Sequence, residues 1–255
     1  MNIVVLLKQT VDLVEELELN DDGTDIEREY LSFKLNEWDE QALEEALLLK
    51  DAGAGSVTVI ALDETDVDQS LYSALAKGAD RAVKLTGDFE GGVSSHRRAA
   101  ILAEHLQREP YDLVLIGVQT PEDLDGQAGV ILAGRLGVPH VSVAIGVEPL
   151  DGGVKVSQEF GAGVVHELKV AGPAVIGVQA ARQAPRYVPI SRIRAAMQEG
   201  GIEEAPAPEV PAETGLKVRR MYAPESSSHA EMLSGGADAV AARIVEIIRE
   251  RGILK

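Results

Sequence analysis

Short apolar runs rich in valine, isoleucine and leucine alternate with amphipathic segments along the first 140 residues of the chain. The runs are NIVVLL, SVTVIAL, RAVKL and YDLVLIGV, which begin at residues 2, 56, 81 and 111. Between them, apolar residues recur every three or four positions, over residues 36–53, 66–80 and 94–110. Continuous apolar runs are typical of strands buried on both faces, and the intervening periodicity is typical of helices. This alternation predicts an α/β fold with a mostly parallel, doubly wound sheet and right-handed crossovers.

The pattern changes after residue 139. Turn signals at residues 151–153 (DGG) and 161–163 (GAG) separate segments in which apolar and polar residues alternate. Such alternation around short glycine turns predicts antiparallel strands, which we expect to extend the parallel sheet.

The C-terminal part predicts a separate arm. Residues 200–215 hold three prolines in an acidic setting, which favours an exposed linker. Residues 237–254 form an amphipathic helical pattern, with apolar residues on one side and Arg and Glu on the other. We therefore divide the chain into an α/β domain at residues 1–200 and a linker with an arm helix at residues 201–255. Spacing alone leaves open whether this helix docks on its own domain or on a second subunit.

Composition excludes several kinds of chemistry. The chain has no cysteine and a formal net charge of −18, which excludes thiolate sites and disfavours nucleic acid and anionic membranes as partners. The histidines lack metal-ligand spacing, and no hydrolase, P-loop or dinucleotide fingerprint occurs. We expect no catalytic residue and no metal site, and we expect the many carboxylates to form a solvated surface. Apolar runs too short for a secretory signal or a membrane span predict a cytoplasmic protein that is not integral to a membrane.

The stretch LIGVQTPEDLDGQAG, residues 115–129, ends a predicted central strand and begins a helix. In open α/β sheets, ligands bind beyond the carboxyl ends of the strands, where helix N-termini offer N–H groups to anions. Gly126 and Gly129 would let the backbone approach a phosphate. The nearby carboxylates, those of Glu122, Asp123 and Asp125, should then point outward or bind hydroxyl or N–H groups. The same stretch is also typical of an ordinary Asp-Gly turn, so it does not decide the function by itself.

Five separated segments, in one order, resemble the electron transfer flavoprotein small (beta) subunit family. They are VVLLKQTVD, NEWDEQALEEAL, ALAKGADRA, the stretch at residues 115–129, and APRYVPISRIRAAM. The similarity runs over residues 1–200. It implies a Rossmann-like adenine-nucleotide-binding fold with added antiparallel strands and a C-terminal helical extension.

The resemblance implies a nucleotide pocket. In that family the small subunit holds AMP, or in electron-bifurcating relatives the ADP portion of a second FAD, while the large (alpha) subunit holds most of the electron-carrying FAD. Carried across by motif, the implied pocket residues are Leu6, Asn36, Glu37, Trp38, Asp39, Leu62, Gly117, Gln119, Asp123, Asp125, Gly126, Gln127 and Ala128. The amides of residues 126–128 would bind the phosphate.

Departures from the family pattern leave the nucleotide undecided. The usual proline after the capping asparagine is Glu37, and the usual lysine of the nucleotide loop is Val118. Residues 127–130 follow neither the AMP-binding nor the bifurcating pattern.

The segment from Arg186 to Met197 resembles the family's recognition loop for dehydrogenases. By register, the anchoring side chain is Ile190, and the resemblance implies a docking surface of Arg186, Tyr187, Pro189, Ile190 and Ile193. An exposed aliphatic anchor suits small, transient interfaces. The alternative is that Ile190 packs into the core of its own chain. Three further arginines, Arg182, Arg192 and Arg194, are expected on the same face, and Arg186 is also a candidate for contact with the flavin.

The resemblance therefore implies the small subunit of a heterodimeric electron carrier, which is not itself an enzyme. Its partners would be the large subunit, acyl-CoA or related flavin dehydrogenases, and the membrane-bound electron transfer flavoprotein-quinone oxidoreductase, as in fatty acid oxidation. One alternative is an electron-bifurcating subunit with a second FAD in this chain and NADH as the donor. The other is a stand-alone adenine-nucleotide-binding homodimer of the universal-stress-protein type, without flavin.

Overall fold

A computed structural model describes residues 1–89, 92–123, 126–211, 218–223, 230 and 232–253. In chain order, its elements are β1 (Asn2–Leu7), β2 (Gln9–Val11), β3 (Phe33–Leu35), α1 (Glu37–Asp51), β4 (Ser56–Leu62), α2 (Val67–Lys77), β5 (Arg81–Thr86), α3 (Ser95–Leu106), β6 (Leu113–Gly117), α4 (Gln127–Leu136), β7 (His140–Leu150), β8 (Gly153–Gly161), β9 (Val164–Ala171), β10 (Ala174–Val178), α5 (Ile190–Glu199), β11 (Ile202–Pro206) and α6 (Ala237–Glu250).

Within the described residues, nine strands form one sheet in the order β11-β5-β4-β1-β6-β10-β7-β8-β9. The pairs from β11 to β7 are parallel, and β7-β8 and β8-β9 are antiparallel. The two hairpin turns lie at the predicted glycine signals, because glycine adopts the positive φ that such turns need. The predicted α/β fold with added antiparallel strands is confirmed.

Helices cover both faces of the sheet. Buried residues of α1 and α2 pack on one face, including Leu43, Leu47 and Leu71. Buried residues of α3 and α4 pack on the other face, including Leu102 and Leu132. The strand order therefore reverses between β1 and β6, since the helix after β1 and the helix after β6 cover opposite faces. A crevice opens at such a point, beyond the carboxyl ends of the two strands.

Part of the predicted linker is a strand. Residues 202–206 form β11, which pairs in parallel with β5 at the edge of the sheet. The acidic side chains that suggested solvent exposure have cations on the neighbouring strand: Glu203 pairs with Arg81 at 2.8 Å, and Glu204 pairs with Lys84 at 3.1 Å. Pro206 is compatible with this position because an edge strand has unpaired N–H positions. The sheet thus continues past residue 200.

The predicted C-terminal helix is α6, and none of its residues is buried. Its apolar side chains include Ile244 and Val245, which are 44% and 39% exposed. The arm as a unit that docks on a partner stays a prediction. Among the described helices, none combines the length and the apolar character that crossing a bilayer requires.

Candidate functional site

A narrow pocket, with about 30 Å³ of free space, lies at the carboxyl ends of β1 and β6. Of the residues implied by the family resemblance, those that line it are Leu6, Asp39, Gly117, Gln119, Asp123, Gly126 and Ala128. Residues separated by more than 100 positions meet here because both strands end at the same edge of the sheet.

Asp39, in the first turn of α1, holds the two strand ends together. Its carboxylate accepts hydrogen bonds from the N–H of Gly117 at 2.8 Å and from the N–H of Lys8 at 2.9 Å. The side chain is 2% exposed, and burial raises its pKa to about 7 although these N–H groups favour the charged form. Gly117 is required here, since a Cβ at that position would lie 2.5 Å from Asp39 Oδ1. The predicted solvated surface therefore does not include Asp39.

Asn36 occupies the N-cap position of α1, but its side chain makes no capping hydrogen bond. Its Nδ2 instead donates to the carbonyl of Gln119 at 2.9 Å. Its Oδ1 is buried and has no partner among the described residues.

The loop before α4 folds back on the helix N-terminus. The Asp123 carboxylate accepts from Ser95 Oγ at 2.6 Å and from the N–H of Gln127 at 2.9 Å, and its carbonyl accepts from the N–H of Gly126 at 3.1 Å. Asp123 thus binds hydroxyl and N–H groups, as expected of a carboxylate in this loop. Two of the three amides predicted to bind phosphate already have Asp123 as their acceptor. Asp125 lies outside the described residues.

Two cations that the sequence analysis missed line the pocket, Lys8 and Arg98. Lys8 Nζ lies 3.1 Å from Glu122 Oε2. Arg98 is 5% exposed and pairs through Nη2 with the buried carboxylate of Glu64, whose other oxygen has no partner among the described residues. Arg98 precedes Leu102 and His105 by four and seven positions and thus shares the apolar stripe of α3. A charged residue on that stripe is a sequence signal of a buried pair or ligand contact.

Several implied pocket residues do not line this pocket. Leu62 is fully buried in the core beneath α3. Glu37 is exposed and pairs with Lys34, and Trp38 is half-buried. Asn36 is buried next to the pocket-lining Gln119 but, like Gln127, is not among the lining residues.

The candidate docking surface is separate from the pocket. Tyr187 and Ile190 are 85% and 64% exposed, so Ile190 does not pack into the core of this chain. Pro189 is exposed and Ile193 is half-buried. Arg186 is directed inward, where its Nη2 lies 2.9 Å from both Glu44 Oε1 and Asp51 Oδ2.

Asp39 is expected to make folding stability fall as the pH rises towards neutrality. Its folded-state pKa of about 7 exceeds the ordinary aspartate value of 3.8, so between these pH values the folded chain retains a proton that the unfolded chain has lost. The contribution to the free energy of unfolding is present below the unfolded pKa, is lost as the pH rises through the folded pKa, and is then constant.

We expect Asp39→Asn to remove this component, measured as the difference between the two proteins' unfolding free energies from pH 5 to 8. Burial lowers the pKa values of His105 and His140, and their titration also changes stability with pH. Because both proteins contain these histidines, this contribution cancels in the difference. Parallel profiles across this window would contradict the prediction.

Comparisons with known proteins point to one family. The profile of the electron transfer flavoprotein domain matches residues 24–211. The electron transfer flavoprotein subunit beta of Methylophilus methylotrophus is 34% identical over 262 residues, covering 98% of this chain and 98% of its own length. The proteins of the same name from Bradyrhizobium diazoefficiens and Clostridium acetobutylicum are 30% and 34% identical, covering 78% and 76% of this chain and 79% and 74% of theirs. Because the profile matches most of the chain and a relative aligns over nearly all of it, the chain belongs to the electron transfer flavoprotein family, and its similarity is to the beta subunits.

Proposed function

We propose that this chain is the small subunit of a heterodimeric electron carrier, which binds an adenine nucleotide in the pocket between β1 and β6. The observation that carries the proposal is the pocket itself, at the reversal of strand order, with Lys8 and Arg98 in its wall. Cations in the wall of a pocket are groups that stabilise a phosphate.

The two cations in the pocket wall suit the phosphate of AMP. Lys8 and Arg98 would hold that phosphate. The electron-carrying FAD, held mainly by the large subunit, supplies the redox chemistry when bound. This chain would hold a structural nucleotide, contribute one wall of the flavin site and present the docking surface. Acyl-CoA or related flavin dehydrogenases would be its donors and the quinone oxidoreductase its acceptor.

A second candidate function is electron bifurcation with a second FAD in this chain. Lys8 lines not only the nucleotide pocket but also an adjoining cleft of about 580 Å³, whose walls include Gln9, Glu64, Phe89 and Glu122. That cleft offers room for a nucleotide longer than AMP. The bifurcating protein would use NADH as donor.

Nucleotide content tests these proposals. We expect the complex co-expressed with its large subunit to release one FAD and one AMP, quantified by chromatography. Two FAD and no AMP would support bifurcation. A flavin-free homodimer with bound adenine nucleotide, as in universal stress proteins, would overturn the electron-carrier proposal.

Removal of the Arg98 guanidinium is expected to release the AMP. Because Arg98→Met leaves Glu64 buried without its cation, the double variant Arg98→Met/Glu64→Gln is the one to measure. We expect its AMP affinity to fall by about tenfold or more, as for loss of one charge-assisted hydrogen bond, with FAD content unchanged. Arg97→Met is the matched control, since Arg97 is the exposed neighbour. Equal AMP content in both variants would exclude Arg98 as a phosphate ligand.

Ile190→Ala is expected to weaken docking to the dehydrogenase. Loss of a central apolar anchor should raise the KM for this complex by about tenfold or more and leave kcat unchanged. The assay measures electron transfer from a panel of acyl-CoA and related flavin dehydrogenases. Leu150→Ala, at a side chain 41% exposed in the distant β7-β8 hairpin, is the control. An unchanged KM for Ile190→Ala would show that this residue is not the anchor.

The C-terminal arm is expected to bind the large subunit through the exposed apolar side of α6. A chain that ends after Pro211 tests this, because it removes α6 and retains β11, whereas a cut after Gly200 would also remove a strand. We expect its affinity for the large subunit, measured by titration of the separate subunits, to fall by about tenfold or more. A chain that ends after Gly252 keeps α6 and is the control. If the chain that ends after Pro211 binds the large subunit with unchanged affinity, the proposal that α6 docks there is wrong.

A further inference from the structure

Three side chains on one face of α1 bind the backbone of the segment between β10 and α5. Gln41 Oε1 accepts from the N–H of Ala181 at 3.0 Å, Glu45 Oε2 from the N–H of Arg182 at 2.9 Å, and Glu44 Oε2 from the N–H of Arg186 at 2.9 Å. Positions 41, 44 and 45 lie on one side of a helix because they are three and four residues apart. Because the donors are main-chain N–H groups, these contacts fix the backbone of residues 181–186 and not only its side chains.

The two arginine side chains return to the same carboxylates. Arg182 Nε lies 2.7 Å from Glu45 Oε1, and Arg186 Nε and Nη2 lie 3.1 and 2.9 Å from Glu44 Oε1. Glu44 and Glu45 are 3% and 0% exposed. Buried carboxylates are costly unless they are paired and fully hydrogen-bonded. Any displacement of this segment would therefore leave a buried charge without its partner.

Apolar packing contributes little to residues 182–186 and enters only at Val188, which is buried. Residues 182–184 are exposed, residues 185 and 186 are half-buried, and an open cleft lies between the segment and α1, bounded by Glu44, Leu48 and Asp51. The segment ends at Pro189, directly before Ile190 and α5. The carboxylates of α1 thus hold the backbone that leads into the docking surface.

We infer that Glu44 and Glu45 are positioning residues for the docking surface, and that α1 sets its orientation relative to the nucleotide pocket. This inference rests on the proposed docking function. Asp39, which joins the strand ends at the pocket, lies five residues from Glu44 on the same helix, about 7.5 Å along its axis. One rigid helix therefore carries contacts that lead to both surfaces, while α5 itself also packs against α2. Arg186 acts inside the chain in this arrangement, through Glu44, and not by touching the partner.

The test uses the assembled heterodimer with Glu44→Gln. Glutamine keeps the shape but places an NH₂ group against the N–H and guanidinium donors of Arg186. We expect amide hydrogen exchange over residues 181–199 to accelerate by about tenfold or more, with exchange in β1 and β6 unchanged. With a flavin dehydrogenase as electron donor, we expect the KM to rise by about tenfold, while kcat, FAD content and AMP content stay unchanged. Glu40→Gln is the matched control, since Glu40 is on the same helix but pairs with Lys77.

Each outcome decides the inference. Unchanged exchange over residues 181–199 would show that Glu44 does not hold the segment. If Ile190→Ala raises the KM, then faster exchange with an unchanged KM in Glu44→Gln would contradict the inference. Glu44 would then hold the segment without positioning the docking surface. If Ile190→Ala has no effect either, the docking proposal fails, and the exchange measurement alone decides whether Glu44 holds the segment. If Glu44→Gln does not assemble, Gln41→Ala is the variant to use, since it removes only the hydrogen bond from the N–H of Ala181. Hydrogen exchange over residues 181–199 and the KM are then measured in the same way.

Discussion

One buried carboxylate, that of Asp39, determines how the two central strands meet. Its oxygens accept N–H groups from residues at the ends of β1 and β6, so the first turn of α1 is fixed above the point where strand order reverses. The backbone at Gly117 approaches α1 so closely that a Cβ has no room. The pocket wall, the first turn of α1 and the loop after β6 depend on this contact because each of them contains or adjoins one of these residues.

The other buried acids of α1 solve the same physical problem farther along the sheet edge. Main-chain N–H groups at strand ends and in connecting segments have no ladder partner, and leaving them buried without an acceptor is costly. Glu45 accepts from Val147 in β7 and from Arg182, and Glu44 accepts from Arg186. A single helix therefore provides acceptors for several loops that regular structure leaves unsatisfied. This explains why a strongly acidic protein buries carboxylates beside its sheet as well as exposing them on its surface.

Where the structure differs from these local sequence predictions, the difference lies in where a side chain finds its partner. Acidic Glu203 and Glu204 suggested a linker, yet Arg81 and Lys84 on β5 bind them and complete an edge strand. Asn36 has the residue type and position of a helix cap, but its side chain makes no capping bond, and its Nδ2 donates to the carbonyl of Gln119. Arg98 was not singled out because its partner, Glu64, follows a different strand. None of these partners is near in sequence, so no local pattern contains them.

The sequence by itself determined the α/β architecture, because apolar runs and helical periodicity record burial one residue at a time, and it determined the family through motifs in a fixed order. It also located the carboxyl-end crevice, since parallel strands always end at the same edge. Only the tertiary structure decided that Lys8 and Arg98 line the pocket, that Leu62 belongs to the core, and that Arg186 is directed towards Glu44. The reason is that ion pairs and buried hydrogen bonds join groups more than 30 residues apart, and their geometry exists only once the helices are packed on the sheet.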